Sequence, residues 1–132
     1  MNKVVRVIFI PKALRALRSL KKRYRHADED VETLLIQLRR GETPGDRVQG
    51  VDPSIVYKAR LPNRDAARGK SGGYRVVYYS RTAETLFVLG IYSKSDQSDL
   101  EVALVRQLIA ELEDALKAFA ASDTDDNPPP SA

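Results

Sequence analysis

With 132 residues, no cysteine and one histidine, the chain is long enough to bury one core without a disulfide, and it lacks the residues for a metal centre built on cysteine or histidine. No apolar run approaches the ~20 residues of a membrane span; bases follow the short apolar stretch near the N-terminus and no small-residue cleavage site does, so no signal peptide is expected and a cytoplasmic location is. The formal net charge is +4, yet the segment from Ala121 to Ala132 holds Asp123, Asp125 and Asp126 and no base, which leaves the rest of the chain at +7 and favours a polyanionic partner.

Taken in order, Lys3 to Ile10 (KVVRVIFI) is β-branched and predicts a first strand. Pro11 suits a first helical position, and Leu14, Leu17, Leu20 and Tyr24 then mark one apolar face among lysines and arginines. A second helix is expected from about Asp28. Val31, Leu34, Leu35 and Leu38 have the spacing of a buried stripe, acids start it, Arg39 and Arg40 end it, and Gly41 stops it. His26, between the two helices, reads as a solvated linker residue. Gly41 to Pro53 is mainly loop, with Val48 starting or extending a short edge strand.

Ile55 to Leu61 (IVYKARL) predicts the next strand, followed by the basic loop PNRDAARGKSGG. Tyr74 to Ser80 and Thr85 to Tyr92, joined by a short polar turn, are expected to pair as a hairpin. A last helix is expected near Ser98, where Ser98 and Glu101 have capping-box spacing. Its stripe is Leu104, Leu108, Leu112, Leu116 and Phe119, with Val105 and Ile109 beside it. The order β-α-α-β-β-β-α predicts an α+β domain over residues 1–120: an antiparallel sheet, an N-terminal helical hairpin and a C-terminal helix, with the helices on one sheet face and the other face open. Residues 121–132 are expected to form a disordered, acidic, proline-rich tail.

Side chains on a strand alternate faces. Ile55, Tyr57, Ala59 and Leu61 suit the core, which sends Lys58 and Arg60 to the open face; Arg75 joins them because a buried, unpaired guanidinium is costly. In the last strand Phe87, Leu89 and Ile91 suit the core, so Leu86, Val88, Gly90 and Tyr92 point outward, with Lys94 continuing that series. The expected site is therefore Lys58, Arg60, Arg75 and Lys94, with Tyr79 and Tyr92 as aromatic neighbours and Arg64, Arg68 and Lys70 at the rim as further nucleic-acid-binding residues. Tyr57, Tyr74 and Tyr78 read as packing residues. Such a cationic face fits nucleic acid. Gly69, Lys70 and Ser71 do not make a phosphate-binding loop: Arg64 stands where the motif needs a glycine, and a strand follows instead of a helix. Gly72 and Gly73 are expected to turn the loop sharply into the strand. Neither metal nor cofactor is expected.

The stretch VYKARLPNRDAARGKSGGYRVVYYS, with TLFVLGIYSKSD after it, resembles the RelE/ParE toxin superfamily, and the GKSGGYRVVYY and IYSKSD runs are similar to its RelE/HigB-like branch. The resemblance in element order extends from about Val4 to Leu116. It implies the toxin of a type II toxin–antitoxin system, an mRNA interferase that cleaves messenger RNA in the ribosomal A site and inhibits translation. The implied partners are mRNA, the ribosome and a cognate antitoxin, in this branch often a helix-turn-helix protein, with no membrane. The family's basic catalytic positions fall on Lys58, Arg60, Arg75 and Lys94. Lys94 takes a place often held by arginine, and Leu100 stands near where some members carry a tyrosine.

The chemistry so implied is a metal-independent endoribonuclease step in which the RNA 2′-hydroxyl attacks the adjacent phosphorus. Lys58 is the candidate base or its electrostatic substitute, since neighbouring cations disfavour the charged form of a lysine. Arg60 and Arg75 suit phosphate clamping, and Lys94 suits the leaving oxygen. Two other readings stay open: a ParE-like DNA gyrase inhibitor without nuclease activity, and an RNA-binding relative that does not cleave.

Overall fold

Runs rich in Val, Ile and Tyr pair into one sheet, as such side chains do when a pleated surface is covered. The computed structural model describes residues 4–65, 73–96 and 99–126, with side chains to residue 121. The elements are β1 (Arg6–Phe9), α1 (Pro11–Arg23), α2 (Ala27–Arg39), β2 (Asp46–Arg47), β3 (Val56–Leu61), β4 (Tyr74–Ser80), β5 (Thr85–Ser93) and α3 (Val102–Asp126). The strands lie in the order β1-β5-β4-β3-β2; β5, β4, β3 and β2 are antiparallel neighbours, and β1 joins β5 in parallel. The protein is therefore α+β, with a mostly antiparallel sheet and three helices among the described residues. β2 is the short edge strand, and the Val48 amide extends its ladder by donating to the Val56 carbonyl at 2.9 Å.

Pro11 opens α1 at its first turn, and Asp28, Glu29 and Asp30 lie in the first turn of α2, where the positive end of the helix dipole favours them. Gly41, at φ +90°, takes the left-handed conformation that ends the second helix. Val31, Leu34 and Leu38 are buried as their spacing predicts, but on α1 the inward residues are Ala13 and Leu20, and Leu14 is exposed. The small Ala13 lets the helix approach β5 closely; Leu14 is one position off that line.

Cross-strand partners share a sheet face. One face carries Leu61 and Tyr74, Ala59 with Val76 and Ile91, and Tyr57 with Tyr78. It meets the α1–α2 hairpin, where the Tyr24 ring stands edge-on to that of Tyr74 at 6.0 Å. The second face carries Val56, Lys58, Arg60, Arg75, Val77 and Tyr79, and it is not open. α3 crosses it: Val105, Leu108 and Ile109 are buried, and the Tyr79 hydroxyl donates to Glu113 on the helix at 2.8 Å. The expectation that all helices gather on one face is thus corrected. With both faces covered, β4 and β5 are nearly continuous buried runs, the pattern of a strand that meets core on either side.

A bulge in β5 corrects a second expectation. Val77 pairs with Gly90, but the next residue, Tyr78, pairs with Val88, so Leu89 is extra. The alternation of β5 reverses there. Leu86 and Val88 share the face of Ser80 and Tyr78, towards the hairpin, while Phe87 shares the face of Tyr79. Leu86 and Val88 are buried, not outward.

α3 starts at Val102; Ser98, proposed as its cap, lies outside the described residues. It continues to Asp126, beyond the expected domain boundary at residue 120, and 127–132 lie outside the described residues. Among the described residues nothing covers the far end of its stripe, where Phe119 is 73% exposed. No helix among the described residues is long and apolar enough to cross a membrane.

Candidate functional site

The cationic residues stand in rows set by strand register. Arg60, Arg75 and Tyr92 are successive cross-strand neighbours on β3, β4 and β5, and Lys58, Val77 and Gly90 form the next row on the same face. Lys94 follows the end of β5 and is held there because its amide donates to the Gly73 carbonyl at 2.9 Å. Gly73 itself must be glycine for a reason of space: a Cβ would sit 2.3 Å from the Leu61 carbonyl oxygen. Close approach to the end of β3 is what Gly73 provides. Gly72 lies outside the described residues.

Asp99 joins the cluster from the segment that leads into α3. Its Oδ2 accepts from Lys58 Nζ at 2.9 Å, and its Oδ1 accepts from the Tyr92 hydroxyl at 2.9 Å and from Lys94 Nζ at 3.2 Å. Leu100 fixes this approach by seating on Gly90, where a Cβ would come within 2.9 Å of its Cδ1. The hydrogen bond from Lys58, then those from Tyr92 and Lys94, hold the Asp99 carboxyl well below the usual carboxylate range. Burial, reinforced by the bond to Asp99, pushes the Tyr92 phenol up to about 12.

The two arginines are placed differently. Arg75 is half-buried and donates one Nη to the Tyr74 carbonyl at 3.3 Å; Arg60 is exposed. Among the described residues neither meets a carboxylate. Like charges directly opposite on neighbouring strands repel, so the Arg60–Arg75 pair carries a cost that no acid among the described residues relieves by direct contact. An anion drawn from solution would relieve it. Lys58 and Arg60 line a groove between the sheet and the start of α3, together with Asp46, Val77, Asp99 and Val105. The Lys58 side chain remains 29% exposed and that of Lys94 37%.

Other expected site residues stand elsewhere. Arg64 makes its contacts with α2: Nε reaches Asp30 at 2.9 Å, Nη1 reaches Glu29 at 3.2 Å, and its amide donates to Asp30 at 3.1 Å. It is not brought to Lys58. Arg68 and Lys70 lie outside the described residues. Tyr79 and Tyr92 are buried at 9% and 4% exposure, beneath α3 and its leading segment, and buried rings offer no face to a nucleic-acid base. His26 is not a solvated linker: its amide and Nδ1 meet the Asp65 carboxylate at 2.7 and 2.8 Å. The residue that sequence reasoning missed is Asp99. Strand alternation gives no direction to a residue beyond the strand end, and the only signal was an acid in the SKSDQSD run after Lys94.

Compared with models of known protein families, the chain matches none.

Proposed function

We propose that this chain is the toxin of a type II toxin–antitoxin pair, built on a RelE-like arrangement of sheet and helices, and that it cleaves mRNA on the ribosome without a metal. One observation carries the reading: cations from β3, β4 and the end of β5 gather on one sheet face, Lys58 and Lys94 close around a single anionic group, and the adjoining Arg60–Arg75 pair meets no acid among the described residues. The motifs of the Val56–Asp96 stretch support the same family.

In this reading the RNA supplies its own nucleophile. The 2′-oxygen forms a bond to phosphorus as its proton leaves, and the bond from phosphorus to the 5′-oxygen breaks, leaving a cyclic phosphate and a 5′-hydroxyl. Arg60 and Arg75 stabilise the charge that builds on the phosphorane, since a guanidinium stays charged and offers a fixed fork of donors. Lys58, on the row beside them, serves the 2′-hydroxyl as base or as electrostatic substitute, and Lys94 stabilises the leaving 5′-oxygen. Asp99 is a poor candidate for the base, because the contacts that hold it ionised weaken it as a proton acceptor. The ribosome orients the message and so lowers the demand on the protein, and a cognate antitoxin, in this branch often a helix-turn-helix protein, restrains the activity.

The test is translation-dependent cleavage of a host message by the wild type and by Arg75→Ala, with folding checked by circular dichroism. The mutant is expected to lose about 10²–10³-fold in rate, the usual scale for one preorganised charge-stabilising group. Undiminished cutting by a folded mutant removes the site. No cuts within reading frames for the wild type removes the nuclease and favours gyrase inhibition.

A further inference from the structure

We propose that the Asp99 carboxylate is a built-in occupant of the phosphate position, holding Lys58 and Lys94 until an RNA phosphodiester displaces it. This rests on reading the cationic cluster as a phosphate site, and it gives that site an internal competitor. A carboxylate and a phosphodiester each present two oxygens to N–H and O–H donors at similar distances. Here three donors from β3 and from β5 and its end converge on the two oxygens of one side chain. That side chain belongs to neither strand. It arrives on the segment before α3, held in place by the Leu100–Gly90 contact.

Two features separate a displaceable occupant from a structural ion pair. The Asp99 side chain is 46% exposed, so a ligand from solution can reach the same donors and the carboxylate can rotate away without breaking the core. The occupant is also a poor match to the whole cluster. It meets both lysines and Tyr92 but neither arginine, whereas a phosphodiester in its place has the further Arg60–Arg75 pair in the adjoining row. The competition is therefore weighted towards a ligand that reaches all four cations, and weakly bound anions are turned away.

The test compares the full chain with Asp99→Asn and Asp99→Ser. The probe is a single-stranded 2′-deoxy oligonucleotide, which cannot be cut, and binding is read by fluorescence anisotropy. Removing the competing charge is expected to tighten binding about two- to five-fold, the scale of one exposed ionic competitor. Asp114→Asn makes the same change in net charge on the exposed surface of α3 and is expected to leave binding unaltered. In a background with both Lys58→Ala and Lys94→Ala the gain from Asp99→Asn is expected to vanish. Equal or weaker binding by both Asp99 variants overturns the proposal, as does a gain matched by Asp114→Asn or kept without both lysines. In the unaltered protein, bound oligonucleotide is expected to raise the titration midpoint of the Asp99 carboxyl carbon signal, because the lysines have left it; an unmoved midpoint also overturns the proposal. Cleavage plays no part in these measurements. Tighter binding by the variants with no cutting by the wild type keeps this inference and removes the nuclease, and the reverse result does the opposite.

Discussion

Two ionic clusters in this protein use the same side-chain chemistry and reach opposite balances. At the start of α2, three acids, Glu29, Asp30 and Asp65, surround Arg64 and His26, and Asp30 is buried with both oxygens occupied. At the start of α3, Lys58 and Lys94 share one half-exposed acid, Asp99, and the adjoining Arg60 and Arg75 meet no carboxylate among the described residues. The first cluster ties the segment after β3 to a helix terminus that already favours negative charge, and its groups satisfy one another. The second has cationic valence left over. Closure of the hydrogen-bond account marks a structural clasp, and an unclosed account beside a groove marks a place for a ligand. Arg64 and Arg60 are four residues apart in sequence, yet they fall on different sides of that division.

The comparison is broken most sharply by activity. Lys58→Ala and Arg60→Ala are each expected to lower translation-dependent mRNA cleavage by about 10²-fold or more, while the free energy of urea unfolding changes by no more than about 1 kcal/mol, because charges at the surface contribute little to folding. Equal losses of activity from Arg64→Ala would erase the distinction between the clusters. The reciprocal experiment is Asp30→Ala. It removes an acceptor that takes two hydrogen bonds from Arg64, and about 1.5–3 kcal/mol of stability is expected to go with it, read as a shift in the urea midpoint, with cleavage per folded molecule unchanged.

Why most of the cationic cluster was legible in the sequence and the clasp was not has a physical basis. Period-2 alternation in β3 places Lys58 and Arg60 on one face, and register with β4 then brings Arg75 beside Arg60. β4 has the limits its sequence predicts, since a glycine precedes it and a polar turn follows. In β5 the same rule misplaces Leu86 and Val88, because nothing in an apolar run shows that Leu89 will bulge. The stripe on α3 says that the helix packs, but a sheet has two faces and the stripe does not choose between them. Its choice brings the preceding segment over the cations, which is how Asp99 reaches them. The clasp of Arg64 and of His26 was hidden for the same reason: loop and linker residues carry no periodicity, so their partners emerge only once α2 and β3 are packed.

A smaller effect sharpens the division. Binding of a single-stranded oligonucleotide weakens with salt in proportion to the phosphates neutralised, at about 0.7 in logarithmic slope per contact. Arg60→Ala is expected to reduce that slope by about 0.7, and Arg64→Ala to leave it unchanged, as measured by anisotropy over a salt series. A reduced slope for Arg64→Ala means that its guanidinium leaves Asp30 for RNA, and the clasp would then belong to the interface.

The smallest effect concerns acid. Asp65 is held below its ordinary value of 3.8, first by the hydrogen bond from the His26 ring, then by the His26 amide, with the charges of His26 and Arg25 adding to both. A carboxyl whose folded value is depressed stabilises the fold above its unfolded value and loses that contribution as pH falls through the folded one. Asp65→Asn is therefore expected to be less stable than the wild type at about pH 6, with the gap narrowing as pH drops below 3.8 and Asp65 becomes protonated. Asp28, Asp99 and Glu113 are lowered too, and their losses steepen the acid limb of both proteins alike, so the difference between the two curves isolates Asp65. Urea unfolding across the acid range measures it. A gap that stays constant through that range means the His26–Asp65 contact contributes through packing alone, and the ionic half of the clasp is then Asp30 and Arg64.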